Sequence, residues 1–114
     1  MNSRYPIDTA LTTQYLQQMV QINSVNPGLA ASGVGEGAIA EWLYQTCLAL
    51  GLEVQFQETA PNRPNVIARW VGSGGGKSLL LTGHTDVVSV ENMQGDPFDG
   101  RIENGRLSDA VRMT

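Results

Sequence analysis

Residues 78–88 read Ser-Leu-Leu-Leu-Thr-Gly-His-Thr-Asp-Val-Val, an apolar run that ends in a glycine and a His-x-Asp pair. A short apolar run bounded by turn residues predicts a buried strand, and α/β sheets bind ligands outside the carboxyl ends of their strands. His84 is the only histidine among the 114 residues. An imidazole placed there can bind a metal ion while Asp86 orients it. The two side chains are therefore the first candidates for a functional site.

The same pair also has a purely structural interpretation. Asp86 then hydrogen-bonds His84 only to anchor a loop, since the spacing already brings the two side chains together. A catalytic zinc ion needs about three protein ligands, and this chain has one histidine. Further ligands must be carboxylates or come from outside the chain, so the pair alone leaves both interpretations open.

Two amphipathic helices are predicted before the strands. Apolar side chains recur at spacings of three and four over residues 8–22, with Asp8 or Thr9 as the N-cap. The same spacing predicts a second helix over residues 36–50, which Gly51 ends. The apolar face of the first helix requires a covering element.

Strands follow the helices. Residues 52–57 alternate apolar and polar side chains, which predicts a strand with one solvated face. We predict two more strands over residues 65–71 and 78–82, and a tight hairpin at Asn104-Gly105. The predicted fold class is therefore α/β, with two helices, three strands and a hairpin, and with a sheet that is incomplete in this chain.

Composition and charge narrow the function. The net charge is −4 and the seven Lys and Arg residues are scattered, so we expect no nucleic-acid partner. No apolar run approaches the thickness of a bilayer and the N-terminus does not resemble a signal peptide, so we expect no membrane partner and a cytoplasmic protein. The length suits one small domain or part of one.

The glycine-rich residues 72–78 (GSGGGKS) end like a phosphate-binding loop. The motif GxxxxGK[ST] requires a glycine five positions before Gly76, where Val71 stands. An apolar run follows, whereas a phosphate loop leads into a helix. We therefore predict a flexible hairpin turn into the strand over residues 78–82, and not a nucleotide site.

Five segments carry a resemblance to a known family. They are Ser24-Val25-Asn26-Pro27-Gly28, Arg63-Pro64-Asn65-Val66-Ile67-Ala68, Leu80-Leu81-Thr82-Gly83-His84-Thr85-Asp86-Val87-Val88, Asp96-Pro97-Phe98 and Asn104-Gly105-Arg106-Leu107. In order and spacing they resemble the N-terminal quarter of the co-catalytic zinc metallopeptidases, which include acetylornithine deacetylase, succinyl-diaminopimelate desuccinylase, aminoacylase and glutamate carboxypeptidase. The first two of these enzymes are the most similar branch.

The resemblance implies that residues 1–114 are the N-terminal part of a single catalytic domain. The complete enzyme would use two Zn²⁺ or Co²⁺ ions to hydrolyse the amide of a small N-acyl amino acid in amino-acid biosynthesis. His84 would bind one metal, and Asp86, the candidate catalytic residue, would hydrogen-bond its imidazole. The family's other ligands lie further along, so we expect this chain to be inactive alone. A homodimeric parent enzyme stays open.

A second function comes from a different class. The chain would then be a non-catalytic α/β segment that pairs through its sheet edge with another protein. Under either function the segment alone would expose a sheet edge and apolar helix faces, so we expect marginal stability or aggregation.

The tail over residues 108–114 departs from the family's pattern, which continues Leu-Tyr-Gly-Arg-Gly-Ala-x-Asp-x-Lys. This chain reads Ser-Asp-Ala-Val-Arg-Met-Thr after Leu107. Codons for the last six residues, regrouped one base earlier, can encode Gly-Arg-Gly-Ala-Asp-Asp. We hypothesise a single-base frameshift near Ser108, with a chance tail as the alternative. Asp109 comes too early to be the family's bridging aspartate and receives no role.

The coding DNA tests the frameshift hypothesis. We expect the −1 frame after Leu107 to encode Gly-Arg-Gly-Ala-x-Asp, because the codons of Met113 and Thr114 always contain the aspartate codon GAC in that frame. Sequencing the DNA past the Leu107 codon is the measurement. A −1 frame that lacks this motif would leave only the chance tail.

Overall fold

A computed structural model describes residues 4–108. The chain divides into two compact units, one formed by Asn23–Ser89 and the other, in its described part, by residues 4–22 and 90–108. Apart from Ser108, the tail predicted to be atypical lies outside the described residues, and so does Asp109. No helix within the described part of the chain is long and apolar enough to cross a bilayer.

The described elements are two helices and four short strands. In chain order they are α1 (Thr9–Val20), α2 (Gly37–Ala49), β1 (Glu53–Glu58), β2 (Pro64–Arg69), β3 (Ile102–Glu103) and β4 (Arg106–Leu107). Helices and antiparallel strands together confirm the predicted α/β class.

Helix α1 begins where the sequence predicts. Its N-cap is Asp8, whose Oδ1 accepts a hydrogen bond from the Leu11 N–H at 2.9 Å. Such caps stabilise a helix by about 1 kcal/mol. No residue of α1 is buried, and Leu16 is 48% exposed. The apolar face thus finds little cover within its own unit.

Helix α2 packs against the antiparallel hairpin of β1 and β2. Ile39 and Ala40 are its buried residues. The ring of Tyr44 stacks on Phe56 of β1, with centroids 4.6 Å apart and planes 19° from parallel. Gly51, at φ 85°, ends the helix as predicted, because it adopts the left-handed conformation that lets the Leu52 N–H reach the Cys47 carbonyl at 3.1 Å.

The β1–β2 ladder is shorter than predicted at one end. The register runs from Glu53 opposite Arg69 to Glu58 opposite Pro64. Strand β2 therefore stops before Trp70, which is 73% exposed. The reason is that Gly51 turns the chain before β1, so that no strand residue lies opposite positions 70 and 71.

The predicted third strand over residues 78–82 is wrong. These residues form no strand, and Leu79, Leu80 and Leu81 are 83%, 86% and 83% exposed. A strand requires a neighbour whose backbone groups pair with its own, and within residues 4–108 no strand lies beside this run. The apolar sequence supplies strand propensity but cannot supply the partner.

Within the glycine-rich segment, residues 74–76 form bends, and no helix follows them. Gly74 and Gly75 have φ values of 91° and 78°, a conformation that glycine adopts at low cost. The segment therefore bends the chain, but the predicted hairpin turn is wrong because no strand directly follows it. It also lacks the helix N-terminus with which a phosphate-binding loop holds its anion.

The predicted tight hairpin joins β3 to β4. Asn104 and Gly105 have φ values of 52° and 72°, and type I′ turns require positive φ at both central residues. Ile102 pairs with Leu107 and Glu103 with Arg106. The Asn-Gly prediction is confirmed.

The exposed leucines generate a testable prediction. We expect Leu80→Lys to raise the monomeric fraction of the 114-residue chain, because a charge interrupts an apolar stretch that is otherwise free to self-associate. The change should alter the free energy of unfolding by less than about 0.5 kcal/mol, because the side chain is a surface one. Size-exclusion chromatography with light scattering measures the monomeric fraction.

Ser78→Lys is the matched control, because it adds the same charge at a neighbouring exposed position and keeps all three leucines. Equal effects of the two lysines would show that net charge, and not the leucine run, governs association.

Candidate functional site

The candidate site forms where residues 24–26 lie beside residues 85–87. An isolated parallel bridge joins Val25 to Val87. The Asn26 N–H donates to the Val87 carbonyl at 2.9 Å, and the Val87 N–H donates to the Ser24 carbonyl at 3.1 Å. Val25 is 2% exposed and belongs to the small apolar core. The bridge fixes the backbone directly after Asp86.

Ser24 adds a side-chain bond to the same bridge. Its Oγ donates to the Thr85 carbonyl at 2.7 Å, and the residue is 2% exposed. A buried hydroxyl needs such a partner, since an unpaired one loses its hydrogen bonds to water without replacement. Ser24 therefore holds the backbone of Thr85, which lies between His84 and Asp86, and no sequence pattern indicated this contact.

The Asp86 carboxylate receives two side-chain hydrogen bonds. Asn26 Nδ2 lies 2.8 Å from Oδ2, and His84 Nδ1 lies 3.1 Å from Oδ1. The hydrogen bond from Asn26 lowers the pKa of the Asp86 carboxyl below its ordinary value; the contact with His84 lowers the pKa as well, and partial burial opposes both. Asp86 is thus held as a carboxylate with each oxygen assigned to a different partner.

His84 makes the pairing predicted from its spacing. Its Nδ1 lies 3.0 Å from the Asp86 backbone carbonyl as well as 3.1 Å from Oδ1. A carbonyl and a carboxylate can only accept, so a neutral imidazole that hydrogen-bonds to them must carry its proton on Nδ1, which leaves the Nε2 lone pair free. The side chain is 85% exposed. Nε2 therefore has the electronic form of a metal ligand.

The donor set fits one ligand position for a metal ion. A metal-binding histidine commonly donates its second ring N–H to a carboxylate or a carbonyl, and here Nδ1 does both. Among residues 4–108, no three His, Cys, Asp or Glu side chains come together as a group that could hold a metal ion. The roles of His84 and Asp86 in metal binding stay predictions.

An ion pair that the sequence did not reveal lies in the same unit. Arg63 donates through Nε to Glu36 Oε2 at 3.0 Å and through Nη2 to Oε1 at 2.7 Å. The Glu36 side chain is 8% exposed and that of Arg63 33%. The hydrogen bond to Glu36 raises the pKa of the Arg63 guanidinium above its ordinary value, and the charges of Glu36 and Asp86 act in the same direction. The negative charge of Asp86 therefore also stabilises the charged form of Arg63.

Asn62 holds the loop that presents Arg63. Its carbonyl accepts the Glu36 N–H at 3.1 Å, and its Nδ2 donates to the Val34 carbonyl at 2.5 Å. Gly35 has φ 82°, and a Cβ there would lie 2.6 Å from the Asn62 carbonyl oxygen. Glycine is therefore required at position 35 by both its conformation and this close approach.

Sequence reasoning missed the contacts of Ser24, Asn26, Glu36 and Arg63. Asn26 and Arg63 lie in segments that carry the family resemblance, yet no local pattern indicates their partners, which are 60 and 27 positions away. One weak signal exists for Asn26: an asparagine before Pro-Gly predicts an Asx turn, and the Gly28 N–H donates to its Oδ1 at 2.7 Å. The long-range partners required the tertiary structure.

Comparison with known proteins identifies similar enzymes. The chain is 36% identical over 78 residues to an acetylornithine deacetylase of Aliivibrio salmonicida, which covers 68% of this chain and 20% of that protein. It is 48% identical over 61 residues to an acetylornithine deacetylase of Vibrio cholerae serotype O1, covering 54% of this chain and 12% of that protein. No family model matches the chain, and no solved structure does.

A relative with a different name matches the same chain. An N-formyl-4-amino-5-aminomethyl-2-methylpyrimidine deformylase of Halalkalibacterium halodurans is 34% identical over 70 residues, which is 57% of this chain and 16% of that protein. The chain spans about a fifth or less of the length of these relatives. Their names support an amidohydrolase family of the deacetylase type. The resemblance predicted from the five segments is confirmed at that level, and the zinc-peptidase assignment stays a prediction.

The Ser24 hydrogen bond is testable. We expect Ser24→Ala to lower the free energy of unfolding by about 1–2 kcal/mol, because it removes a buried donor and leaves the Thr85 carbonyl without it. Urea unfolding of the 114-residue chain, followed by tyrosine and tryptophan fluorescence, measures the loss. Ser73→Ala in the exposed glycine-rich turn is the control and should change stability little. Equal stability of the two variants would show that the Ser24 bond contributes nothing.

Proposed function

We propose that this chain is the N-terminal part of a metal-dependent amidohydrolase that cleaves the amide bond of N-acyl amino acids. The observation that carries the proposal is the contact between His84 Nδ1 and Asp86 Oδ1 at 3.1 Å, which leaves Nε2 as the ring nitrogen that could bind a metal. The similarity to acetylornithine deacetylases supports the reaction class. The exposed imidazole at the end of an apolar run supports the place of the site.

The hydrogen bonds around His84 and Asp86 support the proposed roles. A Zn²⁺ or Co²⁺ ion bound in the complete enzyme would polarise the amide carbonyl and lower the pKa of a bound water. His84 would supply one ligand through Nε2. Asp86 would keep the proton on Nδ1, fix the plane of the ring and raise the basicity of Nε2. Asn26 and Ser24 would hold Asp86 and its backbone in place.

The proposed substrate class is a small N-acylated amine. The relatives' names describe the removal of an acetyl group from ornithine and of a formyl group from an aminomethylpyrimidine. Both reactions release a short acyl group from nitrogen, and this shared chemistry supports an N-acyl amino acid or related amine as substrate.

The exposed leucines favour a second candidate function. Leu79, Leu80 and Leu81 are each more than 80% exposed, and an unpaired apolar segment of this kind can add as a strand to a sheet edge of another protein. The two functions make different demands on His84. Zinc-dependent activity of a complete enzyme that contains this segment, lost in His84→Ala, would favour the hydrolase; capture of a partner by the 114-residue chain without metal would favour the interaction role.

A chimaeric enzyme tests the hydrolase proposal. In the chimaera, residues 23–107 of this chain replace the corresponding N-terminal segment of the Vibrio cholerae acetylornithine deacetylase, with the five segments that carry the family resemblance kept in register. We expect the chimaera to hydrolyse N-acetylornithine. Asp86→Ala should lower kcat/KM by about 10- to 100-fold, as removal of a carboxylate behind a metal-bound histidine does, and His84→Ala should lower it further because a metal ligand is lost.

Lys77→Ala is the control for the chimaera, because Lys77 is exposed and outside the site. An active chimaera whose kcat/KM is unchanged by His84→Ala would contradict the metal-ligand role. The 114-residue chain alone should not hydrolyse N-acetylornithine, since one histidine cannot supply about three zinc ligands. Zinc-dependent hydrolysis by that chain, lost in His84→Ala, would overturn this expectation.

A further inference from the structure

We propose that Asn26 is a positioning residue that fixes the Asp86 carboxylate and, through it, the tautomer and orientation of His84. The claim about the tautomer concerns only this chain's own side chains. Its consequence for metal binding rests on the proposed function, in which His84 Nε2 is a ligand.

The first step is that Asn26 is itself immobilised. Its Oδ1 accepts from the Gly28 N–H at 2.7 Å, and its backbone N–H donates to the Val87 carbonyl at 2.9 Å. Its own carbonyl accepts from the Leu29 and Ala30 N–H groups at 3.1 and 3.2 Å. With Oδ1 fixed as an acceptor, Nδ2 must face Asp86, so the amide has one orientation only.

The loop behind Asn26 leaves it little room to move. Gly33 folds back against Pro27, and a Cβ on Gly33 would lie 2.5 Å from the Pro27 Cα and 2.7 Å from the Asn26 carbonyl carbon. Such a close approach of two backbone segments is possible only with glycine. The amide of Asn26 is therefore presented from a tightly folded loop.

The second step is the division of the carboxylate. A free aspartate turns about its terminal torsion, which has a broad energy profile. Here Asn26 occupies Oδ2 at 2.8 Å, which leaves Oδ1 for His84 Nδ1 at 3.1 Å. The backbone carbonyl of Asp86, 3.0 Å from Nδ1, supplies a second acceptor. His84 Nδ1 therefore lies near two acceptors, and Asn26 holds one of them, the Asp86 carboxylate, in place.

The third step concerns an exposed ring. The His84 side chain is 85% exposed, so packing does not fix it, and a free neutral histidine prefers its proton on Nε2. That tautomer would block the nitrogen proposed to bind metal. The acceptors on Nδ1 reverse the preference, and releasing Asp86 from Asn26 should weaken one of them.

NMR of the single histidine tests the proposal directly. Long-range ¹H–¹⁵N correlation spectra of the ¹⁵N-labelled 114-residue chain, recorded where the imidazole is neutral, distinguish the two tautomers without assignment ambiguity. We expect wild type to be mainly Nδ1–H. Asn26→Ser keeps a hydroxyl that can accept from the Gly28 N–H but is too short to reach Asp86, so the ratio of Nδ1–H to Nε2–H should fall several-fold.

Asn65→Ser is the matched control. It removes an asparagine whose Nδ2 donates to Gln57 Oε1 at 3.2 Å across the β1–β2 hairpin, and it should leave the tautomer ratio as in wild type. The amide shifts of Val25 and Val87 report whether the bridge survives in each variant. A several-fold change with the bridge preserved supports the positioning role.

Two results would overturn the proposal. One is an unchanged tautomer ratio in Asn26→Ser while the bridge shifts are preserved. The other, which keeps Asn26 intact and so does not depend on that variant folding, is a wild-type ratio in Asp86→Ala. Failure of the proposed function is separate, because it is read from the zinc-dependent activity of the chimaera and of its His84→Ala variant, whereas the tautomer is measured without metal.

Discussion

The candidate site depends on one backbone contact, the parallel bridge between Val25 and Val87. It joins residues separated by more than half the chain, and it places Asn26 beside Asp86 and Ser24 beside Thr85. Loss of this bridge would release the side chains of Ser24 and Asn26 together, because the backbone of the bridge positions both of them. Residues 24–26 and residues 85–87 therefore form one structural unit.

Charges around the bridge are paired in a way that suits a buried carboxylate. Glu36 lies at the start of α2, is nearly buried and does not cap the helix with its side chain. A buried charge is costly without a partner, and Arg63 supplies one through a two-pronged guanidinium contact. The charge of Asp86 also helps to raise the pKa of Arg63. The loops around the site are therefore joined by electrostatics as well as by hydrogen bonds.

Within the described residues, few apolar side chains are buried and many are exposed. The buried apolar residues are Val25, Ala30, Ile39 and Ala40, whereas the leucines of residues 79–81 are almost fully exposed. An apolar stretch of this kind is unfavourable in water and marks a surface that another element can cover. The residues that lead to His84 are thus the least packed apolar residues of their unit, although the His-x-Asp pair itself is well held.

The sequence by itself determined the features that depend on neighbours along the chain. Asp8 caps α1 through a bond to a residue three positions on, Gly51 ends α2, and Asn104-Gly105 closes a hairpin, all through local backbone geometry. The pairing of His84 with Asp86 followed from a spacing of two. Only the tertiary structure showed that residues 78–82 form no strand, because a strand needs a partner that its own apolar pattern cannot provide. Only the tertiary structure also showed the contacts of Asn26 with Asp86 and of Glu36 with Arg63. Those contacts join residues that are far apart along the chain, and a local sequence pattern does not indicate which distant residue will be the partner.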